Sequence, residues 1–157
     1  MKSLNPYIIL HNWHITLLFF IAALLGYNTS YGESLMSQEE KKVLLKKLEE
    51  LIGIQFPKGT TLIRYERQTE SDALIRAKLT FTSSQWESFV STSPLNPDIF
   101  EEEQRYLLGT NIEWWNPQDS KKLPTAQVWL PNAKVLNVGV DKSNSKEFLV
   151  FLVWHGT

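Results

Sequence analysis

The chain has 157 residues, with 16 basic and 17 acidic side chains, a formal net charge of -1 and no cysteine. The lack of cysteine excludes disulfides, thiol chemistry and a lipidated cysteine, and the near-neutral balance gives no electrostatic case for binding nucleic acid. A chain of this length is expected to form one domain whose core needs no metal and no covalent crosslink. We therefore expect no cofactor and no nucleic acid partner.

The first 32 residues differ in composition from the rest. Lys2 is their only formal charge, and an unbroken apolar run, ITLLFFIAALLG, follows it. A basic start, a short apolar stretch and small residues two apart, here Ser30 and Gly32, are typical of a secretory signal. We predict cleavage after Gly32, which leaves residues 33–157 as a single domain in the periplasm or outside the cell.

An uncleaved membrane anchor is the alternative for this segment. Counted from Tyr7 to Leu25, the apolar stretch approaches the roughly 17 to 25 residues that span a bilayer. His11, Asn12 and His14 would then lie inside the span, where polar side chains without partners are costly. The signal peptide is therefore favoured. In the anchored case the domain would be held at the inner membrane, outside the cytoplasm.

Residues 37–52 predict an amphipathic helix. Ser37 is a favourable N-cap, Glu40 three residues later completes a capping box, and Gly53 offers a stop. An apolar stripe at helical spacing indicates that one face of the helix packs on a core. A membrane surface could also take up such a lysine-rich amphipathic helix, but the glutamates among the lysines weaken the attraction to anionic lipid. The stripe consists of Leu44, Leu48, Leu51 and Ile52.

The remaining patterns predict strands with one further clear helix. Residues 61–68 and 72–82 are rich in strand-forming side chains around a polar turn, which predicts a hairpin. Residues 83–91 place apolar side chains at the i, i+3, i+4 spacing of a helix seated on a sheet. Those side chains are Trp86, Phe89 and Val90.

The C-terminal part predicts three more strands. They cover residues 125–131, 134–142 and 147–156, and the last two form a second hairpin; the final one is apolar on both faces, as in a covered or central strand. Residues 93–120 are irregular, with helical character only over residues 97–109. We predict an α+β fold, with a mainly antiparallel sheet of about five strands in two hairpins. The N-terminal amphipathic helix and one or two short helices pack on one face.

Trp114 and Trp115 stand side by side in the irregular segment. Adjacent residues of an extended chain point to opposite sides, so we predict one indole in the core and the other substantially exposed. The structural alternative is that both close an apolar edge of a domain that also holds Trp86, Trp129 and Trp154. The functional alternative is a recognition loop for a protein or a sugar ring, because tryptophan is enriched at binding hot spots. Its polar rim would comprise Glu113, Asn116, Gln118 and Asp119.

Carboxylates and one histidine are the other candidates for chemistry. The run Glu101, Glu102 and Glu103 is best interpreted as a solvated face. With Glu113 opposite one of them, across a groove floored by Trp114 or Trp115, it could instead serve glycoside hydrolysis. His155 has no second ligand and no nucleophile beside it, which favours a strand-end residue over a base.

These observations favour a small, exported, non-enzymatic domain that binds another macromolecule in the bacterial envelope. Its partner would be a protein or a glycan, and its role that of an inhibitor, an immunity protein or an accessory subunit. Two alternatives stay open: a small glycan hydrolase that uses carboxylates alone, and a structural module anchored to the membrane. The candidate binding residues are Glu113, Trp114, Trp115, Asn116 and Asp119.

Overall fold

A computed structural model describes residues 36–68, 73–101, 107 and 112–156. The segment 1–32, predicted to be a signal peptide or an anchor, lies outside these residues. Among the helices that are described, none is long and apolar enough to cross a membrane. The described residues form two α-helices, α1 (Gln38–Ile52) and α2 (Ser83–Thr92), and five strands, β1 (Thr61–Gln68), β2 (Ala73–Phe81), β3 (Thr125–Leu130), β4 (Lys134–Asp141) and β5 (Phe148–Gly156).

The five strands form one antiparallel sheet in the order β1-β2-β5-β4-β3. The α+β class and the two predicted hairpins, β1 with β2 and β4 with β5, are therefore confirmed. The long central pairing joins the hairpins, because β2 and β5 are in register from Ala73 opposite Gly156 to Phe81 opposite Phe148. The apolar final strand thus lies in the middle of the sheet, as its sequence predicted.

The main core lies on the face of the sheet that carries both helices. Along β2 every second side chain from Ile75 to Phe81 is fully buried, which is the period-two pattern of a strand with one face on a core. Leu48 and Ile52 of α1 and Phe89 of α2 belong to the same buried cluster. Aromatic rings fill much of it, and the Phe81 and Phe89 ring centroids are 5.2 Å apart.

Both helices begin at a capping box. In α1 the Ser37 side chain accepts from the Glu40 amide, and the Ser37 amide donates to Glu40 Oε2 over 2.7 Å. In α2 Thr82 and Gln85 make the reciprocal pair, and the Gln85 amide group also donates to the Lys58 carbonyl oxygen. The boxes satisfy N-terminal N–H groups that have no partner within the helix, so they fix where each helix starts.

The capping box of α1 predicts a pH-dependent contribution to stability. The Ser37 backbone and side-chain hydrogen bonds hold the pKa of Glu40 below its ordinary value. Its contribution is therefore present above the ordinary glutamate pKa and is lost as the pH falls through the lowered one. We expect Glu40→Gln to lower the free energy of unfolding at neutral pH and to match the wild type under acidic conditions. Urea unfolding on both sides of the glutamate pKa measures this, and a difference that persists in acid would contradict it.

A second, smaller buried cluster lies on the opposite face of the sheet. Phe151 and Val153 of β5 point into it, and the segment after residue 111 covers them. Gly139 of β4 leaves room there, because a Cβ atom at this position would lie 2.3 Å from Leu107 Cδ1. Since its side chains enter both clusters, β5 is buried on both faces, which explains its continuous apolar sequence.

The helix predicted over residues 97–109 is wrong at its start. Pro97–Ile99 forms a single 3-10 turn capped by Asn96, and Phe100 is extended. Glu101 then makes an antiparallel bridge with Thr125, through amide-to-carbonyl bonds of 3.0 and 2.7 Å. The outer edge of β3 supplies the hydrogen-bond partners that a helix would have had to provide itself. Residues 102–106, the next part of the predicted helix, lie outside the described part of the chain.

Candidate functional site

Trp115 is a core residue. Its side chain is 2% exposed, and its indole Nε1 donates to the Leu107 carbonyl oxygen over 2.8 Å. The ring meets Phe151 edge-on, with the centroids 5.3 Å apart. The acceptor offsets the cost of burying the indole N–H group, and the contact fixes the ring in one orientation. Trp115 therefore cannot floor an open groove, which corrects that part of the sequence interpretation.

Trp114 lies beside it and is only partly buried. Its ring contacts Trp115 edge-on, with the centroids 5.5 Å apart, and Arg64 Cζ of β1 lies 5.7 Å from its ring centroid. The prediction of one buried indole is met by Trp115. The substantial exposure expected of the other is not, because the Arg64 guanidinium and the Trp115 edge cover part of the ring. Trp114 is thus presented at the surface but held in place.

The loop after the tryptophans is fastened to the sheet through Asn116. Lys78 Nζ of β2 donates to Asn116 Oδ1 over 2.9 Å, and Asn116 Nδ2 donates to the Asp119 carboxylate. Pro117 is buried and opens a single 3-10 turn over Pro117–Asp119. Because both ends of its amide are used within the domain, Asn116 positions the loop. Of the predicted rim, Glu113 and Asp119 present exposed carboxylates, although one Asp119 oxygen accepts from Asn116.

Charged side chains of β1 and β2 lie on the sheet face that carries Trp114, and one of them, Arg64, contacts its ring. Arg64 and Lys78 are register partners on β1 and β2, and in the next row Arg76 pairs with Glu66 at 3.4 Å. Sequence reasoning missed this contribution. Strand alternation puts these side chains on the face opposite Ile75 and Leu79, but nothing in the chain order indicates that the loop crosses that face. We call Arg64, Glu113, Trp114 and Asp119 the Trp114 surface.

Asp141, at the end of β4, forms a hydrogen-bonded group with Ser120 and Ser143 and is itself only partly buried. Asp141 of β4 accepts from the Ser143 amide over 2.8 Å and is also bonded by Ser120. Burial raises the pKa of Asp141, but these hydrogen bonds outweigh it and hold the pKa below its ordinary value. Asp141 thus connects the β4–β5 turn to the end of the loop that follows the tryptophans, and its role is to hold that loop in position.

The structure describes only some of the carboxylates that were considered for glycan hydrolysis. Glu113 and Glu101 are both exposed, and Glu102 and Glu103 lie outside the described residues. His155 is exposed near the end of β5, and Trp129 of β3 is 71% exposed. Within the ranges that the structure describes, no group of three His, Cys, Asp or Glu side chains is arranged to hold a metal ion.

Comparison with known proteins adds no relative from which a role could be taken. No family model, no curated protein and no solved structure matches this chain.

Proposed function

We propose that the chain is an exported, non-enzymatic domain that binds another macromolecule of the bacterial envelope through the Trp114 surface. The partner is a protein, and the role is that of an inhibitor, an immunity protein or an accessory subunit. The observation that carries the proposal is a partly exposed indole held in one orientation by Arg64 and Trp115. An indole fixed before binding loses little side-chain entropy when a partner covers it.

The charges around the indole support a protein partner. Arg64 supplies a cation on one side of Trp114, and Glu113 and Asp119 supply exposed carboxylates on the loop. An apolar centre with a mixed-charge rim matches the usual anatomy of protein interfaces, in which rim charges select the partner and its orientation. A glycan would stack on the same indole, and a glycan adduct is an alternative outcome of the experiment below.

Site-specific photocrosslinking tests the binding proposal. Benzoylphenylalanine in place of Glu113 in the full chain should yield a discrete protein adduct in envelope extract. We expect Trp114→Ala to remove that adduct, because the indole is the apolar centre of the proposed interface. Trp129→Ala is the matched control, since it removes a more exposed indole from β3, outside the Trp114 surface. An adduct that survives Trp114→Ala, or that Trp129→Ala removes equally, would refute the proposal.

Export is tested separately. Expression of the full chain in a bacterium, followed by fractionation and mass measurement of the N-terminus, should yield a periplasmic or secreted chain that begins at Glu33. An intact N-terminus in the membrane fraction would instead support the anchored alternative.

A further inference from the structure

A pocket of about 400 Å³ opens on the helix face of the sheet, where α2 meets the β4–β5 hairpin. This volume is within the range of small-molecule sites. We call it the α2 pocket. Its walls are mainly apolar and include Trp86, Val90, Phe100, Val140, Lys142 and Phe148.

The walls of the α2 pocket are held by the fold. Trp86 is 6% exposed and meets the Phe100 ring edge-on, with the centroids 5.5 Å apart. Val140 and Phe148 belong to paired strands and to the main buried cluster. Phe100 directly precedes Glu101, which bridges to β3. The pocket is therefore formed before any ligand arrives, which lowers the entropy cost of binding.

One cation lies at the pocket, over its aromatic wall. Lys142 Nζ is 5.2 Å from the Trp86 ring centroid and 5.6 Å from that of Phe148. Among the described residues no carboxylate lies within ion-pairing distance of it. The preceding Asp141 is engaged with Ser143 and Ser120, and Glu87, which also lines the pocket, accepts from Ser83 on its own helix. The ammonium group is thus positioned by two rings and has no anionic partner among these residues.

We infer that the α2 pocket binds a small apolar carboxylate. The apolar body would lie against Trp86, Val90 and Phe148, and its carboxylate would pair with Lys142. A charge-assisted hydrogen bond beside apolar walls is stronger than a cation–π contact alone, so the ammonium would gain by accepting this ligand. The site is distinct from the Trp114 surface, which lies on the other face of the sheet.

A matched pair of probes tests the assignment. Phenylbutyrate and the uncharged phenylbutanol share one apolar body, and calorimetric titration of the full chain compares their affinities. We expect the acid to bind more tightly, and Lys142→Gln to weaken the acid about tenfold while leaving the alcohol unchanged. Lys146→Gln, an exposed lysine in the same turn, is the matched control and should change neither affinity. Because Lys142 is exposed, its replacement should leave the fold intact, which circular dichroism checks.

Two further measurements show where the carboxylate binds and whether its natural source is a small molecule or the end of a peptide chain. Phenylbutyrate should shift the Trp86 indole resonance, since its ring lines the pocket. A short peptide that ends in phenylalanine carries the same chemistry; tighter Lys142-dependent binding of the peptide would assign the carboxylate to a chain terminus, and tighter binding of the acid to a small molecule. No binding of any probe, or equal loss of acid and alcohol in Lys142→Gln, would overturn the inference.

Discussion

Replacing Trp115 by alanine should lower the free energy of unfolding by about 3–5 kcal/mol, the usual cost of removing a buried aromatic side chain. The ring is almost fully buried, it packs on Phe151, and its Nε1 donates to the Leu107 carbonyl oxygen. Its removal leaves both a cavity and an unsatisfied buried acceptor. Urea unfolding followed by circular dichroism measures the loss.

Trp114→Ala is the matched comparison. Its indole packs on the edge of the second cluster, with an edge contact to Trp115 and a cation–π contact with Arg64, but it is partly exposed, so we expect a smaller loss of about 1–2 kcal/mol. Equal losses in the two variants would show that both rings belong to the core, and the recognition proposal would lose its structural basis. A double variant cannot make this distinction, because the Trp115 change alone threatens the fold.

Gly156→Ala should destabilise the protein by about 1–3 kcal/mol through overpacking. A Cβ atom at Gly156 would lie 2.2 Å from Cη2 and 2.8 Å from Cζ3 of Trp154, whose indole is 5% exposed. The indole lies across the glycine two residues ahead on the same strand face, so either the ring or the strand end has to move. Thermal unfolding gives the loss in stability, and near-ultraviolet circular dichroism reports a displaced indole.

Gly53→Ala is the control that distinguishes overpacking, as expected at Gly156, from the loss of glycine's conformational freedom. Gly53 ends α1 with φ of +74°, and nothing lies within 4 Å of the position where its Cβ atom would be. We therefore expect a loss of about 1 kcal/mol from backbone strain, with the aromatic circular dichroism unchanged. Wild-type stability in Gly156→Ala would contradict the packing at the end of β5.

The candidate site divides the predicted residues by role. Glu113, Trp114 and Asp119 lie at the surface, whereas Trp115 and Asn116 hold the loop in place. Sequence reasoning could not assign these roles, since a tryptophan that packs and one that binds have the same side chain. The assignment depends on which ring the fold buries: Trp115 is 2% exposed and donates to the Leu107 carbonyl oxygen, whereas Trp114 is only partly buried.

The sequence by itself determined the α+β class, the two hairpins and the face of α2 that packs on the core. These features follow from local periodicity: Ile75, Ala77 and Leu79 alternate as a strand requires, and Trp86 and Phe89 recur as a helix requires. Tertiary structure alone decided that Glu101 pairs with β3 in place of a helix, that Arg64 covers Trp114, and that Lys142 lies over Trp86. Each of these contacts joins segments that are distant in sequence. They form only because the order of the strands and the path of the loops bring those segments together, and a local sequence pattern carries no information about either.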